Sequence, residues 1–324
     1  RVEFDTRHGR VAALDGVSFT LEPGETLGLV GESGCGKSIT ALSVMGLVPS
    51  PPGRVAGGSI RLDGEELVGA TPRRLRKLRG GEAAMIFQEP MTSLNPVFTA
   101  GRQIAEAIML HQSRSESEAW RDAVELLDRV GIPDPARRAE AYPHELSGGM
   151  RQRVMIAMAV SCRPRLLIAD EPTTALDVTV QAQIFDLLND IQAEFGTAIL
   201  MITHDMGAIA EMADRVAVMY AGRVVEQGRA DEILDDPLHP YARGLIACIP
   251  ALGKGEESDG DEGGRPPPLA EIPGVVPPLH LIGAGCAFAA RCAHRFERCE
   301  AERPALARHR GHPAACHAVE EGRL

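Results

Sequence analysis

The chain has 324 residues, a formal net charge of −11, and 44 % hydrophobic and 24 % charged residues. That length supports one large domain with an appendage, or two domains, and the composition is that of an ordinary globular protein. The acidic balance argues against nucleic acid as a partner, because phosphate affinity needs clustered Lys and Arg. No apolar run approaches the roughly 18 residues of a membrane span.

In chain order, residues 16–21 (GVSFTL) alternate apolar and polar and predict a strand. EPGE supplies a turn, and TLGLV (26–30) predicts a short buried strand. Residues 38–48 read as a helix, 49–58 as a loop, and 59–67 as a strand and turn. The basic run Arg73–Arg79 reads as a solvated helix face. AAMIFQ (83–88) is a buried strand, and residues 100–162 turn helical. Then come a strand in LLIAD (166–170), a helix over 179–195, a strand over 198–203, a helix over 206–213 and strands within 215–228. Strands alternating with helices predict an α/β fold on a mainly parallel sheet, with a helical block inserted. After about residue 235 the composition shifts, and KGEESDGDEGGRPPP (254–268) reads as a linker within about 251–268. The first residue is Arg, not Met, so the natural protein is expected to begin upstream. No secretory signal is read, which points to the cytoplasm, where clustered cysteines read as metal or redox sites.

Gly31-x4-Gly36-Lys37-Ser38 is a full phosphate-loop pattern, with a short apolar strand before it and a helix after it. Gly31, Ser33, Gly34, Cys35, Gly36, Lys37, Ser38 and Ile39 are the candidate nucleotide-binding residues of this loop. The glycines let backbone N–H groups wrap an anion, Lys37 reaches the β- and γ-phosphates, and Ser38 offers a hydroxyl to Mg²⁺. Cys35 reads as a small residue that fits, not as a nucleophile. The strand LLIAD ends in Asp170-Glu171, where α/β folds bind ligands. Asp170 is expected to hold Mg²⁺ and Glu171 to orient or deprotonate the attacking water. LSGGM (146–150) places Ser147, Gly148 and Gly149 at the start of a second helix, again facing an anion. One mononucleotide needs only one such helix start.

With these motifs in this order, the sequence resembles the ATP-binding cassette (ABC) family. GESGCGKS resembles its Walker A, LLIADE its Walker B, LSGGM its signature and TALD (174–177) its D-loop. Gln88 in MIFQEP resembles its Q-loop residue, and His204 in MITHDM its switch histidine. The resemblance covers about residues 1–235. It implies a RecA-like parallel sheet core, an antiparallel β subdomain and a helical subdomain at about 89–162. It also implies two cassettes paired head to tail, the signature of one completing the ATP site of the other. His204 would contact the γ-phosphate, and Gln88 would touch Mg²⁺ or the attacking water. The family's adenine-stacking position falls near His8.

FQEPMTSLNPVFTAGRQIAEA (87–107), DEPTTALDVTVQAQI (170–184) and DDPLHPYARGLIACIP (235–250) resemble the oligopeptide and dipeptide importer ATPases. That branch implies an ATPase at the cytoplasmic face of the inner membrane. Its expected partners are a paralogous ATPase subunit in a heterodimer, two transmembrane permease subunits and an extracytoplasmic solute-binding protein. Related importers carry nickel or glutathione, and soluble regulatory or nucleic-acid cassettes form a further class.

Residues 236–324 are a C-terminal extension carrying Cys286-x5-Cys292-x6-Cys299-x16-Cys316. Four thiolates suit zinc or an iron–sulfur cluster, and the lack of a closely spaced cysteine pair leans toward the cluster. The tail also resembles that of dipeptide-importer ATPases, some of which carry a [4Fe–4S] cluster. Free or disulfide-bonded cysteines are the third alternative. The cluster could staple a small tail or sense redox state.

Overall fold

The structure is a computed structural model that describes residues 1–88, 93–173, 176–248 and 271–324. The expected linker, about 251–268, lies outside the described residues. Strands β1 (Val2–Thr6) and β2 (Gly9–Leu14) form a hairpin, and β4 (Gly53–Val55) pairs with β1 to complete a three-stranded antiparallel sheet. The small hairpin of β5 (Arg61–Leu62) and β6 (Glu65–Glu66) follows.

The main sheet has eight strands in the order β12-β13-β11-β10-β3-β9-β8-β7. Its parallel part joins β10 (Arg215–Tyr220), β3 (Thr26–Val30), β9 (Ala198–Thr203), β8 (Leu166–Asp170) and β7 (Ala83–Ile86). Nearly every residue of these strands is buried, as expected where both faces of a parallel sheet are covered. The two faces follow the two-residue period of a strand. Leu167, Ala169, Ile199 and Met201 pack under the inserted helices with Ile104, Leu127, Met155 and Phe185. Leu166, Ile168, Leu200 and Ile202 pack on the other side with Leu27, Leu29, Ala41 and Leu78.

The inserted block contains the helices Ala100–His111, Glu116–Arg129 and Gly148–Val160. Ser115 opens the second with a reciprocal capping box to Glu118.

The structure corrects three local expectations. Residues 16–21 form no strand: Val17, Phe19 and Leu21 do turn alternately onto the core, but the segment pairs with no backbone among the described residues. The helix after the phosphate loop is Lys37–Val44, shorter than 38–48. The basic run is a helix, Pro72–Leu78, yet not merely a solvated face. Arg74 joins Glu65 and Glu82 at 2.7 Å each, and Arg79 donates to the Met45 and Gly46 carbonyls that end the preceding helix.

Beyond residue 235 the chain packs back onto the main sheet. β13 (His312–Ala314) pairs with β11 (Arg223–Arg229), and β12 (Ala307–His309) adds the edge. A third core joins the two regions, with Tyr220, Ile233, Tyr241 and Phe288 fully or nearly fully buried.

Candidate nucleotide site and the extension that contacts it

The phosphate loop runs from the end of β3 into the helix Lys37–Val44. Gly31 cannot be replaced without rearrangement: its φ is +150° and an added Cβ would lie 2.2 Å from the Met219 carbonyl oxygen. Lys37 is 6 % exposed, and its Nζ donates to the carbonyls of Gly31 (2.6 Å) and Glu32 (3.2 Å). Ser33 and Gly34 are exposed at the loop crest, while Cys35 is buried. Burial pushes the Cys35 thiol up, which fits a packing role and not a nucleophile. Gly36, Ser38 and Ile39 are partly exposed where the helix begins.

Five expected residues from four separate segments meet here. The Ser38 hydroxyl donates to Asp170 Oδ1 at 3.2 Å. Asp170 is buried, and burial raises its pKa, so a cation beside it would relieve the cost of its charge. Glu171 stands just past the end of β8 with φ +50°, in the left-handed region, where its N–H donates to the Ile202 carbonyl of β9 at 2.8 Å. Its carboxylate accepts from Gln88 Nε2 at 2.9 Å through one oxygen and lies 3.1 Å from His204 Nδ1 through the other. Gln88, Glu171 and His204 therefore form one hydrogen-bonded set beside Ser38 and Asp170.

Ser147, Gly148 and Gly149 belong to a different surface. The Ser147 hydroxyl accepts from Met150 N–H at 3.3 Å and caps the helix Gly148–Val160. Ser147 and Gly148 are exposed, and none of the three makes a hydrogen bond to the phosphate loop among the described residues. The same helix also touches the segment that follows β8: buried Gln152 donates to the Pro172 carbonyl at 2.6 Å. Of TALD, Thr174 and Ala175 lie outside the described residues, and Asp177 caps the helix Val178–Phe195 by accepting from Val180 N–H at 3.0 Å.

His8 sits at the exposed turn between β1 and β2. Its ring stacks on His280 of the extension, with centroids 4.6 Å apart and planes 9° apart.

The extension reaches the loop itself. Buried His239 uses Nδ1 to accept from Tyr241 N–H at 3.0 Å, capping the helix Pro240–Ala247 with Pro at its first position. Burial holds His239 down to about 3, so the ring is neutral and Nδ1 is free to accept. The helix then aims Tyr241 at the loop, where its hydroxyl accepts from Glu32 N–H at 2.7 Å. Arg291 grips the Glu32 carboxylate with both terminal nitrogens, at 2.6 and 3.0 Å. Neither contact was foreseen. His239-Pro240-Tyr241 was legible as a motif, but nothing in the sequence pairs Tyr241 or Arg291 with residue 32.

Residues 14–174 match the family described as ABC transporter, and residues 225–299 match the one described as oligopeptide/dipeptide transporter, C-terminal region. The chain is 50 % identical to the oligopeptide transport ATP-binding protein OppD of Salmonella typhimurium over 316 residues, 98 % of this chain and 91 % of that protein. It is 49 % identical to the oligopeptide transport ATP-binding protein AppD of Bacillus subtilis over 312 residues, 96 % and 92 % of the two chains.

The chain belongs to the ABC transporter ATP-binding family.

It is an ATPase of that family. The fold agrees with the solved dimeric ATP-binding cassette MJ0796 bound to ADP and Pi, at a TM-score of 0.63 and 26 % identity over 71 % of this chain and 99 % of that one. Among the described residues no helix is long and apolar enough to cross a membrane.

The four tail cysteines converge on one small cavity, lined also by His239, His294 and His317. Burial pushes the Cys286 thiol up to about 11, with the other three thiols adding to the shift. Among the described residues no three metal-ligating side chains gather as they would around one ion. Zinc holds its thiolates at about 2.3 Å from a single centre. The four cysteines are free, and their arrangement among the described residues supports neither the zinc nor the iron–sulfur expectation.

Proposed function

We propose that this chain is the ATP-hydrolysing subunit of a bacterial importer of di- or oligopeptides, working at the cytoplasmic face of the inner membrane. The observation that carries this reading is near-full-length identity of about one half to oligopeptide transport ATP-binding proteins, including the C-terminal region particular to that type. The partners in this reading are a paralogous ATPase, two permeases and a solute-binding protein, and nucleic acid has no part. Uptake of labelled peptide by the reconstituted transporter tests it against the nickel and glutathione alternatives and against a soluble cassette.

In this reading each site residue has a role. Gly31, Ser33, Gly34, Cys35, Gly36 and Ile39 shape the loop whose amides cradle the phosphates, and Lys37 turns from the loop carbonyls to the β- and γ-phosphates. Ser38, Asp170 and Gln88 would hold Mg²⁺ in this reading, and the ion when bound would neutralise charge on the phosphate oxygens. Glu171 takes the proton of the attacking water, and Gln88 and His204 keep its carboxylate aimed. His204 is exposed enough to reach the γ-phosphate. Ser147, Gly148 and Gly149, of which the first two are exposed, serve the ATP site of the paired subunit. Adenine would stack on the face of His8 that His280 leaves open.

Cys286, Cys292, Cys299 and Cys316 are the ligands in our reading of the tail as a [4Fe–4S] site. The cluster, when bound, would staple a segment too small to hold itself by its own core. Protein purified without oxygen is expected to contain about four irons and four acid-labile sulfides per chain. Zinc near one per chain, or no metal, would overturn that assignment.

A further inference from the structure

Residue 32 is an acid inside a loop that binds an anion. Each of its polar groups is held. Its carbonyl accepts from Lys37, its N–H donates to Tyr241, and its carboxylate lies in the fork of Arg291. Two of those three partners come from the C-terminal extension. The Arg291 side chain is 4 % exposed and lies over the rings of Tyr220 and Phe288. Its remaining donors go to the carbonyls of Pro273, Ile272 and Gly274. The guanidinium is thus fixed before any nucleotide arrives.

We infer that Arg291 is a positioning residue for nucleotide binding: by neutralising and orienting Glu32, it lets the phosphate loop accept a polyanion. This rests on reading residues 31–38 as the phosphate loop. An unpaired Glu32 carboxylate would stand among the amides that must face phosphate oxygens, and like charges repel at that range. A bidentate guanidinium also fixes the carboxylate plane, so the loop backbone beside it is held along with the charge. Tyr241 acts on the same residue by drawing the Glu32 N–H toward the extension. Arg291 immediately precedes Cys292, which lines the four-cysteine cavity. The order of the tail is thereby linked to the affinity of the ATP site.

The test is binding of a fluorescent ATP analogue with Mg²⁺ to the full chain. Arg291→Ala is expected to weaken binding by about tenfold, with a defect that shrinks as salt is raised. Adding Glu32→Gln to that variant removes the exposed charge and is expected to restore affinity to within about twofold of the starting protein. Arg291→Lys keeps the charge without the fork and should fall between them; it also serves if the alanine variant does not fold. Unchanged affinity in Arg291→Ala, or a loss that Glu32→Gln fails to rescue, would overturn the inference. Lys37→Ala separates the two readings. If Lys37→Ala abolishes binding while Arg291→Ala does not change it, only the inference fails. If Lys37→Ala binds normally, the phosphate-loop reading fails with it.

Discussion

Replacing Glu171 with Gln is expected to slow ATP hydrolysis at the site built on this chain by about 10²–10⁴-fold while leaving nucleotide affinity near its starting value. The amide keeps the shape of the carboxylate and can still meet Gln88 and His204, but it cannot take a proton from water. Glu171 joins Gln88 and His204 through separate oxygens. Its backbone is pinned in a left-handed conformation by β9, so the substitution should not move it. The measurement is single-turnover hydrolysis in a pair whose other cassette has its own glutamate replaced, together with the nucleotide dissociation constant. A fall in kcat without a rise in Kd identifies a group that acts only in the transition state. A parallel loss of affinity would make Glu171 a binding residue, and the base would have to be sought elsewhere.

The second large effect is on stability. Glu226 is fully buried and accepts three hydrogen bonds: from Leu238 N–H (2.7 Å), His239 N–H (2.8 Å) and His312 Nε2–H (2.6 Å). It therefore ties β11 to the start of the His239-Pro240-Tyr241 helix and to β13 at once. Glu226→Ala leaves two buried N–H groups and a buried imidazole without partners. By the usual cost of breaking a buried charged network, the extension should lose about 3–5 kcal/mol. Limited proteolysis should then cleave residues 271–324 well before the rest of the chain. Because Tyr241 and Arg291 would be released with it, ATP affinity should fall as well. Equal protease resistance of the two regions in the variant would mean that the apolar contacts of Tyr241 and Phe288 hold the extension without the buried carboxylate.

Those two cases also separate what the sequence made legible from what it did not. Lys37, Ser38, Asp170 and Glu171 lie in short contiguous motifs at strand ends, where the chemistry and the local fold share the same few residues. The parallel strands were legible because burial on both faces writes a continuous apolar run, as in LLIAD and AILMIT. GVSFTL misled because alternation reports which residues face the core, and Val17, Phe19 and Leu21 do, but it does not report a backbone partner. The contacts on Glu32 were not legible at all. Tyr241 is 209 positions away and Arg291 is 259 away, and each looks locally like a residue of its own segment. The return of β12 and β13 to the main sheet was hidden for a similar reason: three-residue strands carry too little pattern to signal an edge. The cysteines were visible as a cluster in sequence, and the fold brings them to one cavity through packing that their spacing could not specify.

Uptake of a labelled oligopeptide into vesicles enclosing Mg-ATP tests the functional reading most directly. The vesicles would carry the permeases, the paralogous ATPase and this chain, with the solute-binding protein outside. Peptide should accumulate only when ATP is enclosed, and accumulation should vanish when this chain is omitted. Accumulation that proceeds without this chain, or transport of nickel or glutathione in place of peptide, would contradict the assignment.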